Sequence, residues 1–511
     1  VLFFSAISSG LWFPELRNDT RQNGMQMTGN PSILLSSVAW LLLTIDLAFC
    51  QTVPATVQLK LNENSLDPQV VLASSIEAAK ELTLPAKQPP ALLSEQVIAP
   101  ELQEGLAPQV YYLQAPAPSV LSSKDPAGGG VLLQSGAGTL RVSGALSVLG
   151  VYGSDRSFAP WSPLFMLPPS LFGGDTPTFE AHARQSNLQF NYAGPEVAGW
   201  QTGAFGKFYF TSSSLTSDIY GFMPIVAFGE ARNEHFRFTA GLQPDLFAPR
   251  DPIVIPMTLM GGTGNAGTFR GQLRAEAFWK PTDAFQATLQ TALSDPISTV
   301  LIDSSRRTTE SDGIPNFEVR GVLGIGEVEP LAGGRNERPL ELALAGMVGR
   351  IRNAQILYSL EDIDPNIPIR SIIDVGGVSV DSKINLTDRL GLIGEGYFGQ
   401  GLGNYAGTIF QTFNSQTFQA IRGQGGFLEA FFYLSNRVHL HMGYGIDAAL
   451  RRDLPTTPGA IAKNSAYYGC LFWDITPAIQ YGVQVDYRDT DFAVLDDNSG
   501  WIVYNQFAIR F

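Results

Sequence analysis

The sequence predicts an all-β protein, a transmembrane antiparallel β-barrel of about sixteen strands. Three observations predict it. Runs of about ten residues with apolar and polar side chains alternating recur from Gly138 to Phe511. The connections between runs are alternately short and long. Charged residues make up 16% of the chain, against a usual quarter.

The alternation is clearest near the C-terminus. Ile479, Tyr481, Val483, Val485 and Tyr487 form one apolar face, opposed by Gln480, Gly482, Gln484 and Asp486. Trp501, Val503, Phe507, Ile509 and Phe511 share a face with Asn505 as the exception, and Gln506 and Arg510 point the other way. Val438, Leu440, Met442, Tyr444 and Ile446 oppose His439, His441, Gly443, Gly445 and Asp447. Gly271, Leu273, Ala275, Ala277 and Trp279 oppose Arg270, Gln272, Arg274, Glu276 and Phe278. Similar runs begin near Leu140, Leu188, Trp200, Phe236, Phe285, Phe317, Leu340, Leu390, Phe427 and Tyr467. A soluble sandwich also alternates, but here the non-apolar face is mostly Gly, Ser, Thr and Gln with some Arg and Glu. That composition suits a wet lumen, with the apolar face turned to lipid. Closing the sheet satisfies the backbone polar groups that a bilayer leaves unpaired. Trp200, Tyr209, Trp279, Tyr444, Tyr487 and Trp501 are the expected interfacial girdle.

Short turns are expected at 280–283, 387–389, 435–437 and 476–478. Long loops are expected at 153–178, 243–267, 295–315, 353–368 and 403–417. One tight rim and one long-looped rim is the layout of outer-membrane barrels. Residues 138–511 allow about 23 residues per strand and connection in a sixteen-stranded barrel, a size that leaves an aqueous channel.

The rest of the chain reads differently. Ile33 to Cys50 is an apolar run of marginal spanning length that contains Asp46. Residues 1–50 are read as a secretory signal segment with its translation start open, Arg17 and Arg21 as its basic region and cleavage after Cys50. A lipid anchor on Cys50 is the alternative, opposed by the bulk of Phe49. Residues 51–137 carry ten prolines with much Ala and Gln, and are expected to be a mostly disordered linker. A short helix is possible at 67–86, and Gly128 to Gly130 form a hinge.

Composition bounds function. The chain has 511 residues, 47 acidic and 33 basic, for a net charge of -14. That balance argues against a general nucleic-acid binder. Two cysteines exclude a disulfide scaffold and a Cys-rich zinc site.

Three stretches resemble the DcaP-like porin family. The first is Thr139 to Leu146 continuing through Tyr152, similar to that family's opening strand. The second is Ala183 to Phe190, similar to its second-strand motif. The third is Phe236 to Gln243 followed by Leu246, Phe247 and a Pro-rich loop, similar to the strand entering its large inward loop. The terminal Phe511, with Phe507 and Ile509 on its face, resembles the insertion signal by which such barrels reach the barrel-assembly machinery. The resemblance implies a trimeric, sixteen-stranded outer-membrane porin preferring small anionic solutes, with a helical coiled-coil extension. Residues 51–137 depart from it in lacking sustained heptads.

Candidate sites follow from these placements. Residues 244–267, with the apolar stretch Ile253 to Met257, are expected to fold into the channel, where Arg250 and Asp251 narrow it. Arg270 and Arg274 lie on the lumen-side parity of the next strand with Glu276, and Arg141, Arg184, Arg237 and Arg320 lie on polar-side parity elsewhere. Lumen charges tune selectivity, which predicts weak anion preference. The plainer reading is that these arginines pair with Glu276, Glu318, Glu341 and Glu395.

Gly262 to Gly267 spells GxGxxG but precedes a strand rather than a helix, so no cofactor is expected. His439 and His441 are too few for a metal site. Glu361 to Asn366 reads as a solvated acidic loop. No catalytic constellation appears, and an enzyme is not expected. The expected function is passive diffusion of small hydrophilic solutes through an outer-membrane channel. The alternative is a structural or surface-binding barrel with a plugged lumen.

Overall fold

The computed structural model describes residues 131–135, 138–170, 173–212, 219–298, 309–353 and 372–511. The signal segment, the 67–86 helix, the glycine hinge and the acidic stretch 361–366 lie outside the described residues.

Sixteen antiparallel strands form the barrel. They are β1 (Gly138–Gly153), β2 (Asn187–Val197), β3 (Trp200–Tyr209), β4 (Met223–Arg232), β5 (Phe236–Pro244), β6 (Phe269–Thr282), β7 (Phe285–Ser294) and β8 (Asn316–Ile325), followed by β9 (Leu340–Asn353), β10 (Ile372–Asn385), β11 (Leu390–Gln400), β12 (Arg422–Tyr433), β13 (Val438–Ala449), β14 (Ile461–Thr476), β15 (Ile479–Phe492) and β16 (Asn498–Arg510). Each pairs with its neighbour in sequence, and β16 closes on β1 from Ala145↔Arg510 to Gly153↔Ile502. Phe511 exchanges two further backbone hydrogen bonds with Gly144, at 2.9 and 3.0 Å. Closure leaves this sheet no open edge, which is what a strand crossing hydrocarbon requires.

Two barrel strands are absent from the runs read off the sequence. In β4, Pro224 and a register shift where Lys207 and Phe208 pair with it break the alternation. In β10, Asp374 faces outward and the Gly376-Gly377 pair leaves two positions without side chains. A short strand, Val131–Ser135, pairs with β1 inside the stretch expected to be linker. Its Val131, Leu132 and Leu133 side chains are exposed. The Thr178–His182 strand also pairs with β1 before β2 does, so the 183–190 motif begins in a break between two strands.

The two rims differ as the loop lengths imply. Two residues join β2 to β3, β6 to β7 and β14 to β15, whereas the opposite rim carries 154–186, 245–268 and 401–421. One short-rim connection is longer: residues 329–337 form a small hairpin. Its Arg335 lies 4.8 Å from the Phe431 ring and 4.3 Å from the Tyr433 ring.

The outer face is apolar. Leu146, Val148, Leu273, Leu289, Leu344, Val348, Phe398, Met442 and Trp473 are all exposed there. Tyr444 stacks on Tyr467 and Tyr487 on Trp501 across neighbouring strands. Tyr209 is not part of this girdle. The β2–β3 pairing turns it inward with Asn187, and it packs against buried Met223, Ile225 and Phe228.

Met442, 53% exposed near the middle of β13, tests the lipid-facing assignment. Met442→Arg should destabilise the folded barrel by about 2–4 kcal/mol in vesicle refolding titrations, and Ala284→Arg in the short turn by less than about 1 kcal/mol.

Candidate functional site: the barrel interior and its strap

Inward positions of successive strands place a row of carboxyl groups around one half of the interior. They are Glu318 on β8, Glu341 on β9, Asp381 on β10, Glu395 on β11, Glu429 on β12, Asp447 on β13 and Asp486 on β15. Most are fully buried, and a buried carboxyl group without donors is costly. Residues 245–268 supply the donors. This strap crosses the interior, and its backbone N–H groups donate to the wall in sequence. Leu246 donates to Glu318 (2.6 Å), Arg250 to Glu395 (3.0 Å), Ile253 to Glu429 (2.8 Å) and Ile255 to the Gln484 side-chain oxygen (2.6 Å). The Arg250 guanidinium bridges Asp381 (2.8 Å) and Glu341 (3.4 Å).

Apolar packing and these bonds hold the strap together. Phe247 lies edge-on to Tyr397 and Tyr405 and touches the cluster of Met347, Ile373 and Val375. Ile253 and Ile255 join Phe427, Phe431, Phe472, Ile502 and Tyr504, and Met257 joins Ile225, Phe228 and Phe269. Each buried side chain of this size contributes about 1.5–3 kcal/mol. A hydrogen bond nets about 1 kcal/mol, or about 1.5–3 where a charged group takes part. The two contributions are therefore of similar size, and the directional one, the row of acceptors, sets the register. Gly264, at φ +99°, passes so close to β12 that a Cβ there would collide with the Gly426 carbonyl. The GxGxxG string serves this close approach, and no helix follows it.

Other loops complete the filling. Ile409 N–H donates to Asp447 (2.8 Å), Met166 N–H to Thr490 (2.9 Å), and Arg488 to the Leu164 carbonyl (2.8 Å).

The basic residues singled out in the sequence occupy distinct places. Arg270 is clamped by the carbonyls of Asp295 and Asn404, both at 2.7 Å, with its guanidinium 3.7 Å from the Tyr405 ring centre. Arg274 donates to Gln272 (2.9 Å) and to the Pro244 carbonyl, and lies 3.7 Å from Glu276. Glu276 also receives Arg237 (3.3 Å), which is paired with Glu230 (2.7 Å). Arg320 pairs with Asp381 (2.9 Å). Asp251 accepts from the Asn265 amide (3.1 Å). Arg250, Arg270, Arg274, Glu276 and Arg320 thus lie in one buried network around the strap. Arg184 stands apart from it: it sits in the break before β2, with its guanidinium over the Tyr220 ring (4.9 Å) and the Trp161 ring (5.7 Å).

The opposite wall is different. Inward residues Arg141 and Ser143 on β1, Gln189 and Asn191 on β2, and Gln201 on β3 are half-buried rather than buried. Among the described residues, Arg141, Lys207 and Arg232 make no ion pair. Lys207 lies over the Tyr209 ring (5.1 Å) and Arg232 over the Phe278 ring (5.1 Å). Sequence reasoning named Arg141 but missed Lys207 and Arg232. Strand pairing reveals them, because Lys207 faces Gln189 and Arg232 faces Gln201. It also missed Asp381, Glu429 and Gln484 as anchors of the strap.

No protein-family model matches the sequence, and no curated protein matches it. Solved structures do resemble the barrel. The outer membrane channel DcaP of Acinetobacter baumannii superposes with a TM-score of 0.55 at 12% identity, over 74% of this chain and 99% of that one. An anion-selective porin from Comamonas acidovorans gives 0.45 at 10% identity, over 73% of this chain and 100% of that one. A loop-deleted OmpT of Vibrio cholerae gives 0.44 at 11% identity, over 73% and 100%. The first of these shares the fold of the described barrel. With its apolar outer belt, its two unlike rims and its closed sixteen-strand sheet, the described chain is a transmembrane β-barrel with the outer-membrane porin fold.

Proposed function

We propose that this barrel is an outer-membrane porin through which small hydrophilic solutes diffuse passively, anions ahead of cations, along the wall formed by β1 to β4. The observation that carries this reading is the division of the interior. The carboxyl groups of β8 to β15 are occupied by the strap, by Arg320, Arg488 and Arg250, or by loop amides. Among the described residues, Arg141, Lys207 and Arg232 on the other wall have no carboxylate partner. A passage on that side is bordered by uncompensated positive charge even though the whole chain carries -14. No chemistry is assigned to the interior, and the protein is read as a channel rather than an enzyme.

The functional unit in this reading is a homotrimer. On the outer face a groove of about 660 Å³ runs from β3 to β8, lined by Gly203, Gly229, Ala231, Ala240 and Ala275 between Phe238 and Leu273. Small residues let membrane-embedded surfaces approach closely, which supports a subunit contact there. Phe511 is read as the residue recognised by the barrel-assembly machinery.

The packed β8 to β15 half also favours a second reading, a structural or surface-binding barrel with a plugged lumen. Liposome swelling in sugars and dicarboxylates separates the two, since a plugged barrel gives none.

In planar bilayers under a salt gradient, the reversal potential should have the sign of anion preference. Replacing both Arg141 and Lys207 with Glu should shift the anion-to-cation permeability ratio roughly tenfold toward cations. Arg250→Ala leaves Asp381 and Glu341 short of a donor and should raise single-channel conductance severalfold. Unchanged conductance would show that the strap does not border the passage.

A further inference from the structure

A chain of hydrogen bonds runs up the inner wall from His439, beside the short rim, to the strap. Asp474 on β14 lies near that rim, ion-paired with Arg510 at 3.3 Å and hydrogen-bonded to Gln480 at 3.1 Å. Its Oδ2 is 4.0 Å from His439 Nε2. His439 Nδ1 is 2.7 Å from His441 Nε2, and His441 Nδ1 is 2.8 Å from Glu429 Oε1. The other Glu429 oxygen accepts the strap amide of Ile253 (2.8 Å) and the Tyr468 hydroxyl (2.9 Å). His441 is fully buried, whereas the His439 side chain retains 10% exposure and Arg510 18%.

Every ring nitrogen of the histidine pair but one is therefore engaged within the chain. The remaining one, His439 Nε2, faces the rim. The stacking of His439 between Tyr433 (5.0 Å) and Phe472 (5.1 Å) holds both rings in line.

We propose that His439 and His441 relay a proton from the short rim to Glu429 and so loosen the strap when that side turns acidic. A proton arriving at His439 Nε2 lets the Nδ1 proton pass to His441 Nε2. The His441 Nδ1 proton then passes to Glu429 Oε1. Both imidazoles end neutral in the opposite tautomer, and one carboxylate has become a carboxylic acid. No covalent bond other than those to hydrogen changes. The bonds from Ile253 and Tyr468 to Glu429 lose their charge assistance, which about halves their strength.

Other ionisable groups surround this path from each packed element. Tyr433 and Glu429 lie on β12, Tyr468, Cys470 and Asp474 on β14, and Arg510 on β16. Arg335 in the short-rim hairpin is 4.3 Å from the Tyr433 ring, and Lys383 on β10 is held by Glu337 at 2.6 Å.

The consequence for permeation rests on the channel reading, but loosening of the strap is measurable without it. The full chain is reconstituted in vesicles, and hydrogen–deuterium exchange of a 246–257 peptide is followed at about pH 9.5 and about pH 6, normalised to a β15 wall peptide and corrected for intrinsic chemistry. The wild type should show about tenfold faster strap exchange at the lower pH. His439→Gln and His441→Asn should abolish the difference, and Glu429→Gln should give fast exchange at both pH values. Equal acceleration in wild type and His439→Gln, or slow exchange in Glu429→Gln, overturns the relay. Folding of each variant is checked by heat-modifiable gel migration. Conductance measured on the same samples tests the channel separately, because a barrel that never conducts sinks the porin reading while the exchange data still judge the relay.

Discussion

The structure depends on one electrostatic constraint: carboxyl groups that a two-residue repeat turns away from lipid must find donors inside the barrel. A sixteen-strand sheet encloses more space than its own inward side chains fill. From β8 to β15 the wall presents Glu318, Asp381, Glu395, Glu429, Asp447 and Asp486, each buried. Wall arginines serve Asp381 and Asp486. Glu318, Glu395 and Glu429 take backbone amides from the strap, and Asp447 takes one from the 401–421 loop. A backbone amide is a suitable donor here because it brings no compensating charge and costs no side-chain entropy. The spacing of the acceptors then dictates where each strap residue lies.

The same constraint explains why the interior contains oily side chains on what ought to be the wet face. Once the strap is drawn against the wall, Phe247, Ile253, Ile255 and Met257 need apolar neighbours. Inward Ile393, Phe427, Phe431, Phe472, Ile502 and Tyr504 supply them for Ile253 and Ile255, Met347, Ile373 and Val375 for Phe247, and Ile225, Phe228 and Phe269 for Met257. The β-barrel thus has two apolar surfaces, a lipid-facing belt outside and a packed seam inside, with a polar network woven between strap and wall. Arg270 and Arg274 belong to that network as clamps. They grip the carbonyls of Pro244, Asp295 and Asn404 where the strap begins and where neighbouring loops meet it.

Much of the fold was legible because it follows from a repeat of two and from loop length. The faces of β6, β13, β15 and β16 lie as their alternation implies, and the short turns at 280–283, 387–389, 435–437 and 476–478 each lie between two adjacent strands. Alternation fails where backbone geometry breaks it. β4 is masked by Pro224 and a bulge, β10 by paired glycines and an outward aspartate, and Tyr209 changes side through its pairing. The interior network was only partly legible. Parity marks which charges face inward, yet choosing partners for them requires knowing which strand lies across the barrel. Arg250 meets Asp381 and Glu341 over sequence separations of 131 and 91 residues, and nothing local in the sequence encodes such distances.

The proposed anion preference stands against a net charge of -14, and the placement of the charges reconciles the two. Charge matters to a permeating ion only where water carries its field, and it is screened beyond about 8–10 Å at ordinary ionic strength. Asp381 and Asp486 are neutralised at contact distance by guanidinium groups, and Glu318, Glu395, Glu429 and Asp447 lie buried on the far wall, where screening leaves little of their field at the half-buried β1 to β3 wall. Lys207 and Arg232 lie over aromatic faces and, like Arg141, make no ion pair among the described residues, which leaves their charge intact. An overall count of acids and bases therefore predicts less about such a lumen than the position of a single strap does. Lengthening or shifting that strap would re-expose Glu395 and Glu429 and weaken the positive interior field without altering any wall residue.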